Sequence, residues 1–90
     1  MEEIVCFAYG RVQNVMFRDF IARGARHLGL TGYVRNLDDG SVEFVAQGQK
    51  EKLEQLIERA RRGSLFSRVD RVEAQWRVPA QSFDGFELKL

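Results

Sequence analysis

Residues 31–48 read TGYVRNLDDGSVEFVAQG. Segments Gly32–Asn36 and Val42–Gln47 are rich in β-branched and aromatic residues, the composition of strands. Between them lies LDDGS, and Asp39-Gly40 is a strong hairpin signal because glycine accepts the left-handed backbone that a tight turn requires. Strands joined this closely are antiparallel neighbours. The remaining elements arrange themselves around this hairpin.

A helical pattern flanks it on each side. Upstream, from Asp19, the apolar residues Phe20, Ile21, Ala25 and Leu28 recur at helical spacing. Asp19 suits the positive end of that helix, and Gly29 is a candidate C-cap. Downstream, Lys50–Arg62 carries a stripe of Leu53, Leu56, Ile57 and Ala60 and stops at Gly63. Strand patterns lie outermost. Ile4–Tyr9 is a dense apolar run expected to be buried on both faces, or nearly so. Val72, Ala74, Trp76 and Val78 alternate with Arg71, Glu73, Gln75 and Arg77, which predicts a strand with one buried face ending at Pro79. Phe83–Leu90 is expected to form a last short strand.

The order β-α-β-β-α-β plus a terminal strand predicts an α+β, ferredoxin-like sandwich over residues 1–90 as a single domain. It should have one mixed, mainly antiparallel sheet with two helices on one face. The first two strands should run parallel with the third inserted between them.

Bulk composition narrows the function classes. The 90 residues carry 14 Lys+Arg against 13 Asp+Glu, a net charge of +1. That balance gives no field to steer nucleic acid or an anionic membrane. A single cysteine, Cys6, excludes an intrachain disulfide, and a single His27 with no Cys/His cluster argues against a soft-metal site. No stretch approaches a membrane span, and MEEIVCF lacks the features of a leader. The expectation is a cytoplasmic monomer with no cofactor, no metal and no nucleic-acid or membrane partner.

Residues 10–18, GRVQNVMFR, connect the first strand to the first helix. The parallel arrangement puts this loop and Asn36 at the same edge of the sheet, outside the carboxyl ends of two parallel strands, where ligands commonly bind. A helix start near Arg18 leaves free backbone N–H groups, which together with the helix dipole make an anion site. Arg18 adds a fork suited to phosphate or carboxylate, and Asn36 an amide able to hold a water. The stretch offers no Asp, Glu, His, Cys or Ser, and it matches no nucleotide-binding glycine motif. A phosphate substrate handled here must already be reactive. An acyl phosphate is one, because its leaving carboxylate has a conjugate acid with a pKa of roughly 4 and needs no protonation. The chemistry then reduces to charge stabilisation and a placed water.

GRVQNVMFR, AxxLGLTGYVRN, DDGSVEFVAQG, RVDRVEAQW and the terminal GFEL, in this order and over nearly the whole chain, resemble the acylphosphatases. The resemblance implies metal-free hydrolysis of carboxyl-phosphate bonds on a ferredoxin-like αβ sandwich. It implies that Arg18 binds the phosphate, that Asn36 orients the attacking water, and that the backbone of Gly10, Arg11, Val12, Gln13, Asn14, Val15 and Met16 forms the cradle. A small-molecule acyl phosphate is the implied substrate, with inorganic phosphate as product and competing ligand. The chain departs from the family pattern at Asn14, where that pattern has glycine. Asparagine is the other residue that best tolerates left-handed backbone.

Other residues read as structural. Arg11 is expected at the surface of the loop mouth, His27 near a helix C-terminus, and Trp76 and the phenylalanines in the core. The basic run RARRG at 59–63 suits the negative end of a helix. Two rival functions stand beside acyl-phosphate hydrolysis: an anion-binding module without turnover, impaired by Asn14, and an RNA-binding sheet using Tyr33 and Phe44. The second lacks the glycine-aromatic signature of such sheets.

Overall fold

In the computed structural model, which describes residues 1–90, the chain runs β1 (Glu2–Arg11), α1 (Phe17–His27), β2 (Thr31–Asn36), β3 (Val42–Gly48), α2 (Lys50–Arg62), β4 (Arg68–Arg77) and β5 (Phe86–Leu88). The five strands form one sheet in the order β4-β1-β3-β2-β5. β3 is antiparallel to both β1 and β2, which therefore run parallel to each other, as the hairpin and its flanking helices require. The hairpin turn closes with Leu37 N–H donating to Ser41 O (2.9 Å) and Gly40 N–H donating to Leu37 O (3.2 Å). Asp39 accepts from the Ser41 N–H and hydroxyl.

The alternation of the pleat sorts each strand into two faces. Ile4, Cys6 and Ala8 of β1 align with Ala46, Phe44 and Val42 of β3, and all six are fully buried beneath the helices. α1 adds Phe17, Ile21, Ala22 and Ala25 to this core, and α2 adds Leu53, Leu56, Ile57 and Ala60. α1 covers β2 and β5, while α2 covers β1, β3 and β4.

The opposite face of the sheet is not simply solvated. Glu3 and Gln47 are buried there, 1% exposed each, beneath the segment that carries the chain from β4 at one edge to β5 at the other. Gln47 Nε2 donates to Glu3 (2.6 Å) and to Gln81 O (2.5 Å), and Arg77 donates to the second Glu3 carboxylate oxygen. The pairs satisfy the Glu3 charge, which burial alone would penalise.

Three expectations are corrected. β4 begins earlier, at Arg68, and ends at Arg77, so Val78 lies outside it and is 87% exposed. Trp76 faces the helix side but is 42% exposed, because β4 is an edge strand and α2 shields only part of it; it borders a groove that Glu54 and Arg61 of α2 also line. Pairing in the last strand is confined to Phe86–Leu88, and Phe83 instead meets the Tyr33 ring edge-on at 5.9 Å. Among the other phenylalanines, Phe66 is exposed. Neither helix is long and apolar enough to cross a membrane.

Burial on β1, between β4 and β3, pushes the Cys6 thiol up to about 12, against a weaker opposing pull from Arg61. The thiol should therefore stay protonated and unreactive in the folded protein. At pH 8, a disulfide reagent is expected to modify no cysteine in the native protein and one in strong denaturant. Rapid native-state modification would contradict this packing.

Candidate active site

β1 ends in an irregularity. Its register against β4 shifts between Tyr9, opposite Arg71, and Gly10, opposite Val69, leaving Asp70 as an extra residue on β4. Gly10 has φ 126, and a Cβ there would stand 2.2 Å from the Arg68 carbonyl oxygen. Only glycine fits this close approach, and the bulge redirects the chain off the sheet edge. Gly10 and Arg11 are thus strand residues paired with β4, and the free loop begins at Val12, whose side chain is buried in the core.

The loop then alternates in hand. Asn14 (φ 61) and Met16 (φ 62) lie in the left-handed region, and Val15 between them does not. Alternation of this kind turns successive N–H groups toward one side, the arrangement of anion-binding nests. Asn14 takes the conformation in which asparagine is the best non-glycine residue. Met16 was not anticipated there: it is the N-cap of α1, makes no side-chain cap and is 69% exposed. Such a conformation costs a bulky residue on the order of 1–3 kcal/mol.

No backbone N–H from Val12 to Met16 donates to a protein acceptor, and the first helical bond runs from Phe20 N–H to Met16 O (3.1 Å). The N–H groups of Phe17, Arg18 and Asp19 therefore have no intrahelical partner. These donors border a cleft of about 410 Å³ lined by Val12, Asn14, Met16, Phe17, Arg18, Asp19, Asn36 and Leu88. Arg18 and Asn36, 18 residues apart in sequence, meet at this cleft. The Asn36 Oδ1 atom is buried and accepts no hydrogen bond from the protein. An acceptor in that state has a strong appetite for a donor, such as a water or a ligand hydroxyl.

Several site contacts were invisible in the sequence. Arg18 donates to the Lys89 carbonyl (2.5 Å), so the segment after β5 orients the guanidinium. Lys89 is itself held by its N–H to Val34 O (2.9 Å) and by its ammonium over the Tyr33 ring (4.3 Å). Gln13 Nε2 donates to both Leu37 O (2.7 Å) and Ser41 O (2.9 Å), tying the loop to the β2–β3 hairpin. Asp19, read from sequence only as a dipole partner, borders the cleft and pairs with Arg23 at 3.7 Å. His27 is exposed in a separate groove of about 620 Å³ between α1 and α2, which shares no residue with the cleft. No group of three His, Cys, Asp or Glu side chains is assembled to hold a metal ion.

Residues 4–88 match the model of the acylphosphatase family. The chain belongs to the acylphosphatase family. It is accordingly a hydrolase acting on acid anhydrides. A protein of Thermococcus kodakarensis named acylphosphatase is 49% identical over 80 residues, which cover 89% of this chain and 87% of that one. One from Salinibacter ruber is 46% identical over 80 residues, covering 89% and 84%. The crystal structure of acylphosphatase from Bacillus subtilis matches at TM-score 0.96 with 32% identity over 100% of both chains.

Gln13 supplies a measurable handle on the site. Gln13→Ala removes two hydrogen bonds between loop and hairpin, and each is worth about 1 kcal/mol. Denaturant unfolding should show a loss of about 2 kcal/mol. An unchanged midpoint would mean that the tie does not hold the loop.

Proposed function

We propose that the chain hydrolyses the carboxyl-phosphate bond of small-molecule acyl phosphates without a metal ion or cofactor. The phosphate docks against the backbone N–H groups of the 10–16 loop, chiefly those beyond Arg11, and against those of the first turn of α1. Arg18 adds a bidentate charge-assisted contact. Asn36 holds a water through its side-chain amide and leaves the water's lone pair directed at phosphorus. The observation that carries this reading is the juxtaposition, at one cleft, of free N–H donors, the Arg18 guanidinium and the Asn36 side chain.

The step balances without a protein base. The water oxygen forms a bond to phosphorus as the bond from phosphorus to the acyl oxygen breaks. The carboxylate leaves with the bonding pair, and the water proton passes to a non-bridging phosphate oxygen. The products are carboxylate and dihydrogen phosphate. Fixed N–H dipoles and Arg18 stabilise the charge gathering on the equatorial oxygens, the term that dominates phosphoryl transfer. Inorganic phosphate, as product, competes for the same donors. The reading goes with a cytoplasmic monomer acting on a small molecule, with no nucleic-acid or membrane partner.

Hydrolysis of benzoyl phosphate with a chelator present tests the reading. The wild type should turn over, Arg18→Ala should lose about 1,000-fold in kcat/KM, and Asn36→Ala about 100-fold in kcat with phosphate affinity nearly unchanged. Phosphate binding with no turnover by the wild type would instead identify an anion-binding module. Normal hydrolysis by Arg18→Ala would remove the proposed site.

A further inference from the structure

The phosphate cleft does not end at the loop. Across Asn14 and Met16 lies a second cavity of about 430 Å³, lined by Arg11, Asn14, Val15, Met16 and Phe66. Asn14 and Met16 border both cavities, whereas Asn36 borders only the first and Phe66 only the second. The second cavity therefore lies beyond the phosphate loop from the side at which Asn36 stands.

Its lining is unusual for a surface loop. Met16 and Phe66 are 69% and 67% exposed, and the neighbouring Leu65 is 89% exposed. The turn between α2 and β4 that carries Phe66 is closed by Ser64 N–H donating to Ser67 Oγ (2.8 Å) and Ser67 N–H donating to Ser64 O (3.2 Å). A clustered apolar surface on a hydrogen-bonded turn beside a polar cleft is the usual make-up of a ligand site. Arg11 stands at the rim with no acidic partner, while its neighbour across the β1–β4 pair, Arg68, is engaged by Asp70 at 3.2 Å.

We propose that this second cavity is the acyl subsite and that it selects acyl phosphates with an apolar, in particular aromatic, acyl group. The inference rests on phosphate docking in the loop as set out above. An in-line displacement puts the attacking water and the leaving group on opposite sides of phosphorus. With the water at Asn36, the leaving carboxylate points away from Asn36, across Asn14 and Met16. Its apolar substituent then packs on Val15, Met16 and the Phe66 ring. Arg11 faces the carboxylate as its negative charge develops. Phe66 is the specificity-determining residue in this arrangement, since it touches only the part of the substrate that differs between one acyl phosphate and another.

The test compares kcat/KM for benzoyl phosphate and acetyl phosphate in the full chain and in Phe66→Ala. The wild type should favour benzoyl phosphate. Phe66→Ala should lose about 10-fold on benzoyl phosphate, mostly in KM, and less than about 2-fold on acetyl phosphate, with Phe66→Leu restoring much of the preference. The dissociation constant of benzylphosphonate relative to methylphosphonate, measured by direct binding and so independent of turnover, should shift in the same direction. An unchanged benzoyl-to-acetyl ratio, whether from equal losses or none, would overturn the subsite while leaving hydrolysis itself standing. Turnover of neither substrate by the wild type would overturn the hydrolase reading, and the subsite with it.

Discussion

Val42 pairs with Ala8 on one side and with Asn36 on the other. This single row across β1, β3 and β2 fixes Asn36 about 10 Å from Ala8, two strand spacings away, and two residues before the bulge at Gly10. It also fixes the face on which Asn36 stands, because Ala8 and Val42 both point into the core beneath the helices. A slip of one residue in either pairing would turn Asn36 to the other side of the sheet. The buried sets Ile4, Cys6, Ala8 and Val42, Phe44, Ala46 make such a slip costly, since the strand that slipped would turn its set to the wrong face. The core thus enforces the register, and the register positions the amide at the cleft.

The loop is the counterpart on the other side of the cleft. Its donors stay free because the chain adopts backbone conformations that are costly for the residues concerned. The left-handed Met16 starts the helix without a side-chain cap, so nothing in the protein consumes the N–H groups of the first turn. Strain of this sort persists only where the surroundings over-determine it. Here those surroundings are the buried Val12 and Phe17, the Gly10 bulge and the double tie from Gln13. The site is therefore built from unsatisfied polar groups held apart by well-packed apolar ones.

The sequence made the architecture legible wherever periodicity and burial coincide. The α2 stripe of Leu53, Leu56, Ile57 and Ala60 is buried as its spacing requires, and the Asp39-Gly40 turn sits between β2 and β3. The meeting of Arg18 with Asn36 was also legible, because it follows from parallel strands sharing an edge. Trp76 was misjudged because a period of two reports which face a residue takes, not whether anything covers that face at the edge of a sheet. Glu3 was not recognisable as a buried charge, since its cover comes from a crossover some 80 residues later and its partners are Gln47 and Arg77. Gln13, Arg18 and Lys89 show the same limit: side chain-to-carbonyl bonds spanning 24 to 71 residues leave no local pattern.

In the proposed site, the loop, the first turn of α1 and Arg18 form one phosphate-binding unit. The most direct test is an amide-resolved NMR titration of the chain with inorganic phosphate at constant ionic strength, repeated on Arg18→Ala. The largest saturable shifts should fall at the amides of residues 14–19, with saturation lost in the variant. Shifts that gather instead on the basic run at residues 59–63, or that survive unchanged in Arg18→Ala, would contradict it.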